Sequence, residues 1–405
     1  MTKQLAIIFL FIFLAVSTTR AQSFVLKGRV TDKETGKPVP GASVFLSSTS
    51  IGTAANNNGE FVLNRVPQGK FDLVVSSLGY ETYALSITPD KINGPLSILL
   101  TAKANQLADV VIGNYDKDGW LNWGKTFVNN FIGTSYFADG CSIKNYAVIK
   151  FHYSKKKDIL QAFADEPLVI QNSALGYIIH YKLEEFTLDR PAGSLVYKGF
   201  PLFEEMGGNA RRQRKWKERR KEVYYGSIMH FMRCLFTNKL AENGYEIKRL
   251  EKIPNTEKIR VKALYKYYAG ADNNLADYES RLPKDTLTYY QSVLGQRNET
   301  DVLHNELLTG DSIAYGADSI TAALKFSDYL NITYKNKKEP IEYLQQTNSL
   351  ASFSGSITSQ VSLINAKPVY ILYNGAYFEP DDLLSIGYWG WSEKVSELLP
   401  FDYWP

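Results

Sequence analysis

Between Lys27 and Val75, apolar and polar residues alternate in short runs separated by glycine, proline and asparagine. Lys27-Gly28-Arg29-Val30-Thr31 reads as a strand. Asp32 to Pro38 reads as a turn, with Gly36 supplying a permissive φ and Pro38 restarting an extended chain. Ala42, Val44 and Leu46 fall at the strand period of two. Asn56-Asn57-Asn58-Gly59 predicts a hairpin, because Asn and Gly tolerate φ > 0, and Phe61 and Leu63 alternate on the returning strand. Pro67-Gln68-Gly69 breaks the chain before Phe71 to Val75 alternates again. Evenly spaced short strands without a helical period predict a β-sandwich. Its inward set would be Val30, Val44, Leu46, Phe61, Leu63, Phe71, Leu73 and Val75. Each would contribute about 1.5–3 kcal/mol on burial.

After residue 119 both periods occur. Trp120 to Phe131 reads as a helix with Leu121, Phe127, Val128 and Phe131 on one face. Tyr146 to Tyr153 reads as a strand. Leu168-Val169-Ile170 and Gly176 to Leu183 read as an antiparallel pair about Asn172-Ser173, and Leu195 to Phe203 as a further strand. Arg211 to Asn243 reads as the longest helix: Tyr224, Ile228, Phe231 and Leu235 stand at i, i+4, i+7 and i+11, and Gly244 is placed to stop it. Strands are expected at residues 259–268, 286–294, 322–326, 331–334 and 369–373, and residues 383–405 are rich in aromatics. The predicted class is α+β: a sandwich followed by a mostly antiparallel α+β domain.

The sandwich segment carries a specific order of motifs: Gly28-Arg29-Val30-Thr31-Asp32, Pro40-Gly41-Ala42-Ser43-Val44, Gly52-Thr53, Asn58-Gly59-Glu60-Phe61, Pro67-Gln68-Gly69 and Gly79-Tyr80. In this it resembles the carboxypeptidase-regulatory-like domain, a transthyretin-like sandwich common in envelope proteins of Bacteroidetes and shared with TonB-dependent receptors and metallocarboxypeptidases. Asn56 stands where that family usually has Asp, a change the turn tolerates because Asn makes the same local backbone bonds. The resemblance predicts a module over residues 22–112, ending near the strand-like Asp109 to Ile112. A polar linker over 113–119 and an α+β domain over 120–405 would follow. In receptors of this kind the module leads into a plug and barrel. The roughly 290 residues that follow here are too few for a 22-strand barrel, whose strands take about 9–11 residues each.

Residues 1–21 read as a secretory signal: Lys3, an apolar run from Leu5 to Val16, then Thr19-Arg20-Ala21 as a small-x-small cleavage site. A mature chain from Gln22 would have no transmembrane span. Composition fits a folded chain, with 44% hydrophobic and 22% charged residues. A net charge of +4 over 405 residues gives no footprint for nucleic acid. The two cysteines, Cys141 and Cys234, are expected as buried free thiols, a disulfide between them being the alternative in an oxidising compartment.

The sharpest candidate for chemistry is Arg211 to Lys221, where eight of eleven residues are cationic. Arg211, Arg212, Arg214, Lys215 and Lys217 are the candidate contacts to an anionic surface, such as lipid headgroups of the outer membrane. The competing reading is a solvated helix face, with some arginines paired to Glu204 or Glu205. Cations at a helix N-terminal half oppose the dipole. No metal or cofactor site is expected: His152, His180, His230 and His304 stand in no ligand motif. There is no G-x-S-x-G, Walker A, G-x-G-x-x-G or C-x-x-C. The acidic pairs Glu184-Glu185, Glu204-Glu205 and Asp381-Asp382 do not by adjacency make a catalytic pair. Tyr388-Trp389-Gly390-Trp391 and Phe401-Asp402-Tyr403-Trp404 are expected in the core, a sugar-stacking platform being the alternative. The functional expectation is a non-enzymatic binding or scaffolding protein of the periplasm or the periplasmic face of the outer membrane. The alternative is a periplasmic hydrolase or glycan-binding protein of a polysaccharide-uptake system.

Overall fold

Strand β1 (Ser23–Asp32) pairs antiparallel with β4 (Glu60–Pro67) and parallel with β7 (Leu96–Leu100). Facing this sheet is a second one in the order β3-β2-β5-β6, from β2 (Ser43–Leu46), β3 (Gly52–Ala54), β5 (Phe71–Ser76) and β6 (Tyr83–Ile87). The computed structural model describes residues 23–103, 115–268, 275–347, 355–378 and 382–405. All eight residues expected to point inward are buried in one cluster, joined by Leu26, Val66, Ile98 and Leu100. The structure corrects the reading of Asn56–Gly59 as a hairpin. The strands on either side, β3 and β4, belong to different sheets, so the turn carries the chain across the sandwich. Asn56 Oδ1 accepts from the N–H groups of Asn58 and Glu60, and Gly59 sits at φ +74°. The residues expected as a terminal strand, Asp109 to Ile112, and the signal over 1–21 lie outside the described residues.

Of the expected linker over 113–119, residues 115–119 are described and are tied down. Asp116 accepts from Asn122, Trp123 and the Asp118 backbone, and its own N–H reaches Phe151 O. Helix α1 (Gly119–Phe131) follows. It buries Phe127 and Phe131, whereas Leu121, expected on that face, is 85% exposed. A six-stranded antiparallel sheet comes next, built from β8 (Cys141–Ile143), β9 (Ile149–Ser154), β10 (Ile159–Ala164), β11 (Leu168–Asn172), β12 (Tyr177–Asp189) and β13 (Ser194–Glu205). The expected antiparallel pair about Asn172-Ser173 is present as β11 and β12. Phe127 and Phe131 pack against Phe186, Phe127 also against Phe151, and Phe131 against Tyr181.

The sandwich and this sheet belong to one compact unit, which runs to Tyr225 and takes in Ser392–Pro405. The Ser48–Ile51 turn of the sandwich docks on β13: Ser48 N–H donates to Pro201 O at 2.7 Å and Phe203 N–H to Thr49 O at 3.0 Å. The C-terminal segment is woven in as well. Phe401 N–H reaches Ser48 O, Asn172 Nδ2 reaches Ser396 O, and the Tyr197 hydroxyl reaches Glu393 O.

The helix expected over Arg211–Asn243 is two helices. Helix α2 (Ala210–Tyr224) closes the first unit, and α3 (Ile228–Phe236) opens the second, Gly226–Trp391. Gly226 between them has φ +88°, and a Cβ there would lie 2.7 Å from Ile357 Cδ1 and 2.8 Å from Tyr334 Cδ1. The stripe read as one face is therefore divided, with Tyr224 in the first unit and Ile228, Phe231 and Leu235 in the core of the second. The second unit has a five-stranded antiparallel sheet in the order β15-β14-β18-β19-β22, comprising β14 (Tyr245–Pro254), β15 (Glu299–Leu307), β18 (Tyr329–Lys338), β19 (Ser356–Leu363) and β22 (Leu383–Gly387). A four-stranded sheet holds β16 (Ala314–Gly316), β17 (Thr321–Leu324), β20 (Val369–Leu372) and β21 (Tyr377–Phe378). The strands expected at 259–268 and 286–294 are helices, α4 (Thr256–Tyr268) and, after α5 (Leu275–Ser280), α6 (Lys284–Gly295). They enclose a small core of Val261, Tyr265 and Val293.

Candidate functional site

Helix α2 begins at Asn209, whose Oδ1 accepts from Arg212 N–H at 3.0 Å. Its buried residues are Trp216, Arg220, Val223 and Tyr224, at i, i+4, i+7 and i+8. This stripe seats the helix on the Asn172–Gly176 turn between β11 and β12. Trp216 Nε1 donates to Ser173 O at 3.0 Å. Gly176, at φ +76°, faces the Trp216 ring so closely that a Cβ would lie 2.3 Å from it. Arg220 donates from each of its three nitrogens: Nε to Leu175 O at 2.8 Å, Nη2 to Gly176 O at 3.2 Å and Nη1 to Glu205 Oε1 at 2.7 Å. Its guanidinium also lies 3.8 Å from the centre of the Tyr177 ring. A buried cation that is paired, stacked and hydrogen-bonded is the arrangement that offsets its desolvation.

Beside this stripe, α2 opens on a cavity of ≈ 560 Å³. The helix contributes Ala210, Gln213, Arg214, Lys217 and Arg220, at i, i+3, i+4, i+7 and i+10. Tyr177 and Glu205 come from the sheet, Ser50 from the sandwich turn, and Pro400, Asp402, Tyr403 and Trp404 from the C-terminal segment. Asp402 bridges two of these walls, its Oδ1 accepting from Ser50 N–H at 3.0 Å and its Oδ2 from the Ser50 hydroxyl. The Tyr177 hydroxyl is pushed above its ordinary range, first by burial, with Glu205 and Asp402 adding to the effect and Arg220 opposing it.

Arg211, Arg212, Arg214, Lys215 and Lys217 are all exposed, and none forms an ion pair among the described residues. Arg214 and Lys217 line the cavity, and the other three do not. The arginine of the run that pairs with Glu205 is Arg220. Trp216 and Arg220 were missed as site residues, although their spacing with Val223 and Tyr224 was a readable signal.

The remaining candidates disperse. His180 meets Glu204 at 3.3 Å and His304 meets Glu251 at 3.4 Å, while His230 is buried in the second unit. Among the described residues, no group of three or more His, Cys, Asp or Glu could hold a metal ion. Cys141, half-buried, and Cys234, buried, are both free, and burial pushes each thiol up to about 12. Glu185 lies by Lys198, and Asp382 is buried beside Asn365; Asp381 lies outside the described residues. The two aromatic clusters separate: Tyr388 and Trp389 are core, whereas Trp404 is 56% exposed at the cavity.

The first-unit sandwich, with its docking turn, is a β-sandwich module built into a larger α+β unit. Residues 26–112 match the family model of the CarboxypepD_reg-like domain. A TonB-dependent receptor, P3, of Formosa agariphila is 27% identical over 114 residues, covering 28% of this chain and 11% of the receptor. The chain thus spans about a tenth of the length of that relative. Among solved structures, a membrane-associated protein of unknown function from Bacteroides fragilis superposes with TM-score 0.17 at 10% identity, over 86% of this chain and 92% of that one. A 9R-lipoxygenase from Cyanothece gives TM-score 0.16 at 9% identity, over 55% and 49%. At these scores neither superposition describes a shared fold. No helix among the described residues is long and apolar enough to cross a membrane.

Proposed function

We propose that this chain is an exported, non-catalytic binding or scaffolding protein of the cell envelope, working at the periplasmic face of the outer membrane. The observation that carries the reading is the first half of α2. It presents five exposed cations without carboxylate partners, at the end of the helix where the dipole disfavours them. Such a cluster is stabilised by an external anion, and anionic headgroups attract basic residues near the surface with about 1 kcal/mol each. The CarboxypepD_reg-like domain and the similarity to a TonB-dependent receptor support the envelope setting. The test is sedimentation of the purified protein with phosphatidylglycerol vesicles, beside a variant carrying Gln at 211, 212, 214, 215 and 217. The variant is expected to lose salt-sensitive binding. Equal sedimentation of both proteins would remove the surface-contact role, and recovery of the native protein in the cytosolic fraction would remove the envelope setting.

A further inference from the structure

We propose that the cavity beside α2 binds an anionic saccharide, a sugar ring carrying a phosphate or carboxylate. The proposal deepens the envelope-binding reading by naming a ligand class for one side of the basic helix.

Three kinds of group converge there from separate elements. Arg214 and Lys217 stand one turn apart on α2, exposed and without carboxylate partners. Arg220 brings a third positive charge, already matched by Glu205 at 2.7 Å. The cavity therefore offers two uncommitted cations on one wall, suited to a charged substituent. Across from them, Asp402 is held in place by Ser50 and keeps lone pairs for hydroxyl donors, as does the exposed Glu205. Trp404, 56% exposed, adds an aromatic side chain to the same lining. Acceptors beside a ring face suit a sugar, whose hydroxyls donate at the edge while its C–H face stacks.

A bare anion fits less well. Asp402 and Glu205 line the same space and would repel it, so the lining selects a ligand bearing both negative charge and hydroxyl donors. Of the five exposed cations of the run, the concave wall holds two. Ser50 makes the carboxypeptidase-regulatory-like sandwich a direct contributor to the site, a role no part of its motif announces.

The test is calorimetric titration of the protein with glucose 6-phosphate and galacturonate, against glucose and inorganic phosphate. Saturable binding of an anionic sugar, tighter than either control by about 10-fold or more, is expected. R214Q/K217Q and, separately, W404A should each weaken it by about 10-fold, while R211Q/R212Q/K215Q should leave it unchanged. These positions are exposed, and a thermal melt verifies that each variant is folded. Oligogalacturonate and lipopolysaccharide-containing vesicles then tell a soluble glycan from a glycolipid headgroup as the source. Equal affinity for inorganic phosphate, indifference to W404A, or no saturable binding of any sugar would overturn the proposal. It can fail while phosphatidylglycerol sedimentation is retained. Conversely, sugar binding can persist where that sedimentation is absent, so the two readings fall separately.

Discussion

The Tyr245 hydroxyl meets Nδ1 of His230 at 3.0 Å, and the Gly226 N–H donates to the same nitrogen at 3.3 Å. An N–H can only donate, so Nδ1 is the acceptor and the neutral ring carries its proton on Nε2. Burial, and secondarily Arg233, push the ring's pKa from 6.5 down to about 4. Between those two values the unfolded chain binds a proton that the folded one does not. Stability should be unaffected by this group above pH 6.5 and should fall as the pH drops from there towards about 4. Urea midpoints at neutral and mildly acid pH check this. His230→Gln should flatten that limb of the profile, and an identical acid limb in the variant would contradict a neutral buried ring.

Gly226→Ala should destabilise the second unit. Its φ of +88° disfavours a side chain, and the added methyl would meet Ile357 and Tyr334. Strain of this kind costs about 1–3 kcal/mol. The Trp389 indole donates to Gly226 O at 2.7 Å, so tryptophan emission reports on this joint. An unchanged thermal midpoint would mean that the joint is not under constraint.

Within α2 two kinds of basic residue should behave differently. Arg220→Lys keeps the charge but forfeits the fork that reaches Leu175, Gly176 and Glu205, and should cost about 1–3 kcal/mol. Replacing Arg211, Arg212, Arg214, Lys215 and Lys217 together by Gln should change stability by about 0–1 kcal/mol, as exposed charges do. Chemical denaturation of both variants separates the seated arginine from the solvated ridge, and similar losses in both would erase the distinction.

Phe231, 1% exposed, packs against Tyr245 and Trp389. Phe231→Ala should cost about 3–5 kcal/mol. A loss under about 1 kcal/mol, on the scale of a surface change, would place it outside the core.

How far these features could be read from the sequence depended on how local their causes are. The sandwich was legible because each inward residue, from Val30 to Val75, follows the period of its own strand. The Asn56–Gly59 turn was legible as a turn but not as a crossing between sheets, since nothing local says which strand pairs with which. Residues 259–268 and 286–294 were misread because short runs of Ile, Val, Leu and Tyr suit either period. Their helical burial is confined to Val261, Tyr265 and Val293. The break at Gly226 was hidden by a stripe that continues in register across it. Of the candidate site, the charges were visible in the run itself. The cavity was not, because Ser50 and Asp402 are 352 positions apart in the chain.

That separation bears on the order in which the molecule can be completed. The first unit is left at Tyr225 and resumed at Ser392, so the second is an insertion within it. Closing a flexible excursion of 166 residues (226–391) costs about 4–5 kcal/mol in chain entropy. The tail that bonds Ser48 and Asn172 therefore gains most once the inserted segment has condensed. Until then the Ser50 turn and the outer wall of the cavity lack their closing partner, which makes ligand competence a late event in the folding of this chain.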